Sequence, residues 1–162
     1  MERYELCKET IILFFIMIIR YGGTSRYSDA VVYNNVAYLS GIVPKDLSNN
    51  IINQTYDVLR QLDNQLAIIN SSKKLILSMT IYLKDASLYD DMNVAFDNWI
   101  QDSPPPARAT IGIVSFPNPR WLIEIVVTAS VRTSYNDLSG NRTSYNDLSG
   151  NYFLLNNLNY IV

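Results

Sequence analysis

The chain has no histidine and only one cysteine, Cys7, in 162 residues. The first absence removes the commonest metal ligand and the commonest general base. The second excludes an intrachain disulfide and a cysteine-based zinc site, and it makes the reducing cytoplasm the natural compartment. Charge is also sparse, with 13 basic and 15 acidic side chains and a net charge of −2. Such a field does not attract nucleic acid, and no basic run is long enough to do so locally. The apolar run Ile11–Ile19 is nine residues long, whereas a membrane-spanning helix needs about 20. The residues before it, Glu2, Arg3, Glu5, Lys8 and Glu9, are net negative, and no small-residue cleavage site follows. Neither a signal peptide nor a membrane anchor is expected.

What remains is ordinary globular composition, 48% apolar and 17% charged, in a chain long enough for one domain with its own core. Three segments are expected. Residues 1–16 are an extension, and Met17, opening "MIIRYGG", offers a second start. Residues 17–131 form the domain. Residues 132–162 form a polar tail in which "RTSYNDLSGN" occurs twice in tandem. A single duplication is too few repeats for a solenoid.

Within the domain, "AVVYNNVAYLSGIV" (30–43) reads as two strands around an Asn34-Asn35 turn, since asparagine tolerates left-handed backbone angles. Residues 48–70 predict a helix with Ile52, Tyr56, Leu59, Leu62, Leu66 and Ile69 on one stripe, capped by Ser48 or Asn49. "LILSMTIYL" (75–83) is nearly all apolar and reads as a central strand. Residues 87–100 predict a second helix, capped by Ser87, with Leu88, Met92, Ala95, Phe96 and Trp99 towards the sheet. Prolines 104–106 stop it. Two strands follow, 107–115 and 121–131, around the turn "FPNPR". The order β-β-β-α-β-α-β-β implies an α+β domain with both helices on one face of a mixed sheet.

Two charges sit in otherwise apolar strands. Arg108 stands at the mouth of "ARATIGIV", a stretch that reads as buried. Guanidinium does not lose its proton, and its planar fork fits a small carboxylate. The plainer reading is an arginine whose head reaches water. Glu124 interrupts "WLIEIVVTA". A buried carboxylate needs a partner, which could be Arg108, a neighbouring subunit's cation, or a water that it holds for reaction. Tyr27, Ser40 and Asn93 are unremarkable taken singly.

Taken together, "RYSDAVVYNNVAYLSGIVP", "MNVAFDNWI", "PPARATIGI" and "WLIEIVVTA" resemble the successive signatures of the Rid family (YjgF-like, also labelled endoribonuclease L-PSP), closest to its YoaB-like branch. The resemblance spans about residues 17–131. It implies a chorismate-mutase-like fold with a six-stranded sheet, a homotrimer, and clefts between subunits. It further implies hydrolysis of reactive 2-imino and 2-enamino acids, such as 2-aminoacrylate, to 2-keto acids and ammonia. By motif position, Arg108 matches the carboxylate-binding arginine, Glu124 the water-associated glutamate and Tyr27 the cleft tyrosine. Ser40 matches the serine before glycine and Asn93 the second-helix asparagine. Thr110 replaces a cysteine common at its position and is taken as substrate-binding. Ile42 replaces a glutamine and Arg26 a proline, changes expected to touch the cleft.

The implied chemistry suits the missing residue types. An imine is already electrophilic, so hydrolysis needs a held carboxylate, a placed water and a proton path, with no metal or cofactor. Two other functions fit the chain less fully. One is a non-catalytic binder of small carboxylates on the same trimer. The other is RNA binding or cleavage, disfavoured by the negative net charge, the lack of an aromatic-basic patch and the absent histidine pair.

Overall fold

The computed structural model describes residues 18–47, 50–112 and 114–132. The expected extension 1–16, most of the tail, and the proposed caps Ser48 and Asn49 lie outside the described residues. Eight main elements follow in chain order: β1 (Ile19–Tyr21), β2 (Ala30–Tyr33), β3 (Val36–Leu39), α1 (Ile51–Ile68), β4 (Ile76–Leu83), α2 (Tyr89–Ile100), β5 (Ala107–Ile111) and β6 (Ile123–Ser130). The element order is the one expected.

The strands form one six-stranded sheet in the order β1-β2-β3-β6-β4-β5. All neighbours are antiparallel except β4 and β5. That parallel pair is joined through α2, because parallel neighbours need a crossover. The β2–β3 hairpin turns at Asn34 and Asn35, with φ of 49° and 61°, the left-handed pair that a tight hairpin requires.

Alternation along the strands sorts the sheet into two faces. Met79, Ile81, Leu83, Ile123, Ile125 and Ala129 are at most 1% exposed and pack with the helices. Burying each of the Met, Ile and Leu side chains among them contributes about 1.5–3 kcal/mol. Helix α2 adds Met92, Ala95 and Phe96, as expected, with Leu88 and Trp99 at the margin. The expected α1 stripe holds at Leu59, Leu62, Leu66 and Ile69, which are buried in the core, while Tyr56 is exposed, Ile52 is only partly buried, and Ile51 and Val58 join the core instead.

Both helix starts differ from expectation. Asn50 caps α1, its side chain accepting from Asn53 N at 3.2 Å. Ser87 does not cap α2. Its own N–H donates to Asp85 Oδ1 at 2.8 Å, which secures a short 3₁₀ turn at Ala86–Leu88 leading into the helix. One strand assignment also changes. β4 is interior and paired on both sides, as expected, whereas β5 is the edge strand itself and largely exposed. β5 ends at Ile111, where Gly112 passes so close to Ala86 that a Cβ would sit 2.8 Å from the alanine methyl.

Candidate functional site

Arg108 lies on the exposed edge strand, not in a buried one. It pairs across the parallel ladder with Met79, which is buried under the helices, so its side chain leaves on the helix side. There α2 receives it. Arg108 Nη1 donates to Asn93 Oδ1 at 2.9 Å, and Nη2 donates to Tyr89 Oη at 3.3 Å. The guanidinium lies 4.6 Å from the Phe96 ring centroid, a distance at which the ring face attracts a cation. Thr110, two residues along β5 and beside buried Ile81, faces the same way. Its Oγ1 is buried without a hydrogen-bond partner.

Glu124 belongs to the other face. It pairs with Tyr82 and alternates with the fully buried Ile123 and Ile125. Its half-exposed carboxylate lies over Gly41, where any Cβ would overlap Glu124 Oε1. A side chain at position 41 would displace the Glu124 carboxylate from this position, so Gly41 is what leaves room for it. Ser40 precedes Gly41 in the chain. Its Oγ donates to Ser28 O at 2.6 Å, and its N–H donates to Asp29 O at 2.9 Å. These bonds tie the end of β3 to the loop that carries Tyr27. Thr24 N–H donates to Tyr27 O at 2.8 Å and Gly23 N–H to Asp29 Oδ2 at 3.0 Å, closing that loop and leaving the Tyr27 side chain exposed.

The six residues thus form two groups. Arg108, Asn93 and Thr110 gather at the helix side of the β5 edge. Glu124 lies on the open face, and Ser40 is tied to the loop that carries Tyr27. Arg108 and Glu124 do not pair within the chain, which removes one of the three partners considered for the glutamate. Ile42 is also corrected. It bridges to Ile125 and is 4% exposed in the core, so it does not line a cleft of this chain. Arg26 is exposed near Tyr27.

Sequence reading missed four supporting residues. Tyr89 and Phe96 brace Arg108. Gln54, fully buried, donates from Nε2 to Arg120 O at 2.9 Å and accepts from Leu122 N–H at 2.8 Å, which fixes the entry to β6 just before Glu124. Asp57 gathers the loop after Gly41, accepting from Lys45 N at 2.7 Å, Asp46 N at 3.1 Å and Arg60 Nη2 at 2.6 Å. Burial alone would raise its carboxyl pKa. The Asp46 and Lys45 amides together with Arg60 outweigh that and hold it below the ordinary aspartate value. Polar residues within a helix stripe read as solvated, and only their distant partners reveal otherwise.

Among the described residues no group of histidine, cysteine and carboxylate side chains could hold a metal ion, and no helix is long and apolar enough to cross a membrane.

A six-stranded mixed sheet with both helices on one face, an arginine at its edge and a glutamate on its open face defines a Rid-type domain. The chain belongs to the Rid/YjgF family: residues 19–131 match the family described as Endoribonuclease L-PSP. It is 41% identical over 115 residues to a RutC family protein of Haemophilus ducreyi, covering 71% of this chain and 97% of that one. It is 36% identical over 114 residues to the RutC family protein YoaB of Escherichia coli, covering 70% and 98%. Among solved structures it superposes on a YjgF family member from Neisseria meningitidis with TM-score 0.70 and 39% identity, covering 74% and 98%. It also superposes on yeast Mmf1 with TM-score 0.63 and 27% identity, covering 68% and 90%.

Proposed function

We propose that the chain is a cofactor-independent deaminase that hydrolyses short 2-imino and 2-enamino acids to 2-keto acids and ammonia, in clefts formed between copies of a homotrimer. The observation that carries this reading is the braced Arg108. Two neutral oxygens and an aromatic face hold its guanidinium, and among the described residues no carboxylate forms an ion pair with it. A fork so held is suited to a small anion.

The open face supports association. Val31, Tyr33, Tyr38, Val126 and Ile111 lie on it, and Tyr38 and Ile111 are 55% and 44% exposed. An apolar surface of that kind calls for a partner. A second copy seated there would bring its β5 edge, with Arg108 and Thr110, towards the first copy's Glu124, Ser40 and Tyr27.

In such a cleft Arg108 binds the substrate carboxylate and sets C2 against the opposing subunit. Thr110 lies two residues along the same edge, its hydroxyl buried and without a partner in the single chain. A water held by Glu124 adds its oxygen to C2 and yields a proton to the carboxylate, which returns it to the nitrogen. The resulting carbinolamine expels ammonia and leaves the 2-keto acid. Tyr27 and Ser40 line the approach. Placement supplies the catalysis, so the missing histidine is no obstacle.

RNA cleavage, which the family's description names, is not proposed. The chain has no histidine and a negative net charge. The test is ammonia release from imines generated in situ by an amino-acid oxidase, comparing wild type with Arg108→Ala. Acceleration by wild type alone supports the deaminase. Pyruvate binding without acceleration leaves a carboxylate-binding trimer instead.

A further inference from the structure

We infer that Tyr89 is a positioning residue for the Arg108 carboxylate receptor, an inference that rests on the proposed function and deepens it. Tyr89 and Asn93 are four residues apart on α2, so they stand one above the other on the same helix face. Each accepts one guanidinium N–H, Asn93 Oδ1 from Nη1 and Tyr89 Oη from Nη2. Phe96, one further turn along, supplies its ring face at 4.6 Å. One side of a single helix therefore holds the guanidinium at both terminal nitrogens and across its plane.

The chemistry of the braces matters as much as their number. Both are uncharged oxygens, although Asp90 and Asp91 occupy the same first turn of α2. A carboxylate in their place would neutralise the cation and compete with an anionic ligand. Neutral acceptors fix the fork and leave its charge unspent. Guanidinium carries five N–H donors. With two committed to the helix, three remain, enough for one two-pronged carboxylate contact. Tyr89 is 41% exposed, so its hydroxyl is not part of the packed core.

The experiment is calorimetric titration of pyruvate into wild type, Tyr89→Phe and Arg108→Ala, beside steady-state kinetics on imine generated from alanine by an amino-acid oxidase. Tyr89→Phe keeps the ring and removes the hydroxyl. Its partial exposure makes loss of the fold unexpected, and a circular dichroism melt checks this. The Kd for pyruvate should rise roughly three- to tenfold, the range for one ordinary hydrogen bond, since the 3.3 Å contact is long for a charge-assisted one. KM should rise by the same factor, with kcat changing less than about twofold. That split separates positioning from general structural damage. An unchanged or tighter Kd in Tyr89→Phe, with Arg108→Ala no longer binding, overturns the role of Tyr89 and leaves the proposed function standing. Failure of wild type to bind pyruvate overturns both.

Discussion

Arg108 and Glu124 project from opposite faces of one sheet. Arg108 lies beside Met79 and under Phe96 on the helix side, and Glu124 lies beside Tyr82 and over Gly41 on the open side. In a single chain they cannot grip one small molecule. Any chemistry that uses both draws them from two copies, and several expectations follow from that arrangement.

Arg108→Lys keeps the positive charge and loses the fork. Catalytic efficiency on imine substrates should fall on the order of tenfold to a hundredfold, since each charge-assisted hydrogen bond is worth about 1.5–3 kcal/mol. The side chain sits on an exposed edge strand, so the thermal midpoint should barely move. Steady-state kinetics and a melting curve on the same preparation check both parts.

Glu124→Gln retains shape and removes the charge. Turnover should drop sharply while pyruvate binds with nearly unchanged Kd. Gly41→Ala should act in the same direction from the backbone side, because its methyl takes the place of the glutamate oxygen. If Glu124 serves only to neutralise a neighbouring subunit's cation, Glu124→Gln will instead melt several degrees lower and turn over normally.

Asp57 makes the fold sensitive to acid. Its native carboxyl takes up a proton less readily than the unfolded one. Its contribution is therefore complete above the unfolded value of about 4 and is lost as pH falls through the lower native value. In urea titrations from neutral pH downwards, Asp57→Asn should be less stable at neutral pH by about 1–3 kcal/mol, and its stability should fall less steeply across the acid range. Parallel curves for the two proteins would contradict this role.

The β2–β3 turn depends on left-handed angles at Asn34 and Asn35. Asn35→Val should lower stability by about 1–2 kcal/mol, while Asn35→Gly should keep or raise it. Denaturant midpoints of the two variants give the comparison directly.

Much of this arrangement was legible in the sequence. The hairpin asparagines, the apolar stripe of α2, the proline stop and the order of elements each follow from a local rule. The exposure of β5 was not legible. An apolar stretch reads the same whether it lies at the centre of a sheet or waits at its edge, and strand order is set by long-range pairing. The same limit placed Ile42 in a cleft when its bridge to Ile125 draws it into the core. Arg108, Asn93 and Glu124 stood out as residues, yet alternation of faces became assignable only once the register Met79–Arg108 and Tyr82–Glu124 was known. Tyr89 gave no signal, being one of 12 tyrosines, at a helix start where aromatic residues carry no special meaning.

The most direct measurement is subunit complementation. Arg108→Ala and Glu124→Gln proteins are each assayed alone for ammonia release from imine, then unfolded together in equal amounts, refolded and assayed again. Each variant alone should be nearly inactive. In randomly mixed assemblies, a cleft that takes its arginine from one variant and its glutamate from the other is intact. With one-half chance for each, about a quarter of wild-type activity should return. Recovery near that fraction is the result predicted for a cleft built across two chains. A mixture no more active than its two components, with mixed assemblies confirmed by native mass spectrometry, would contradict it.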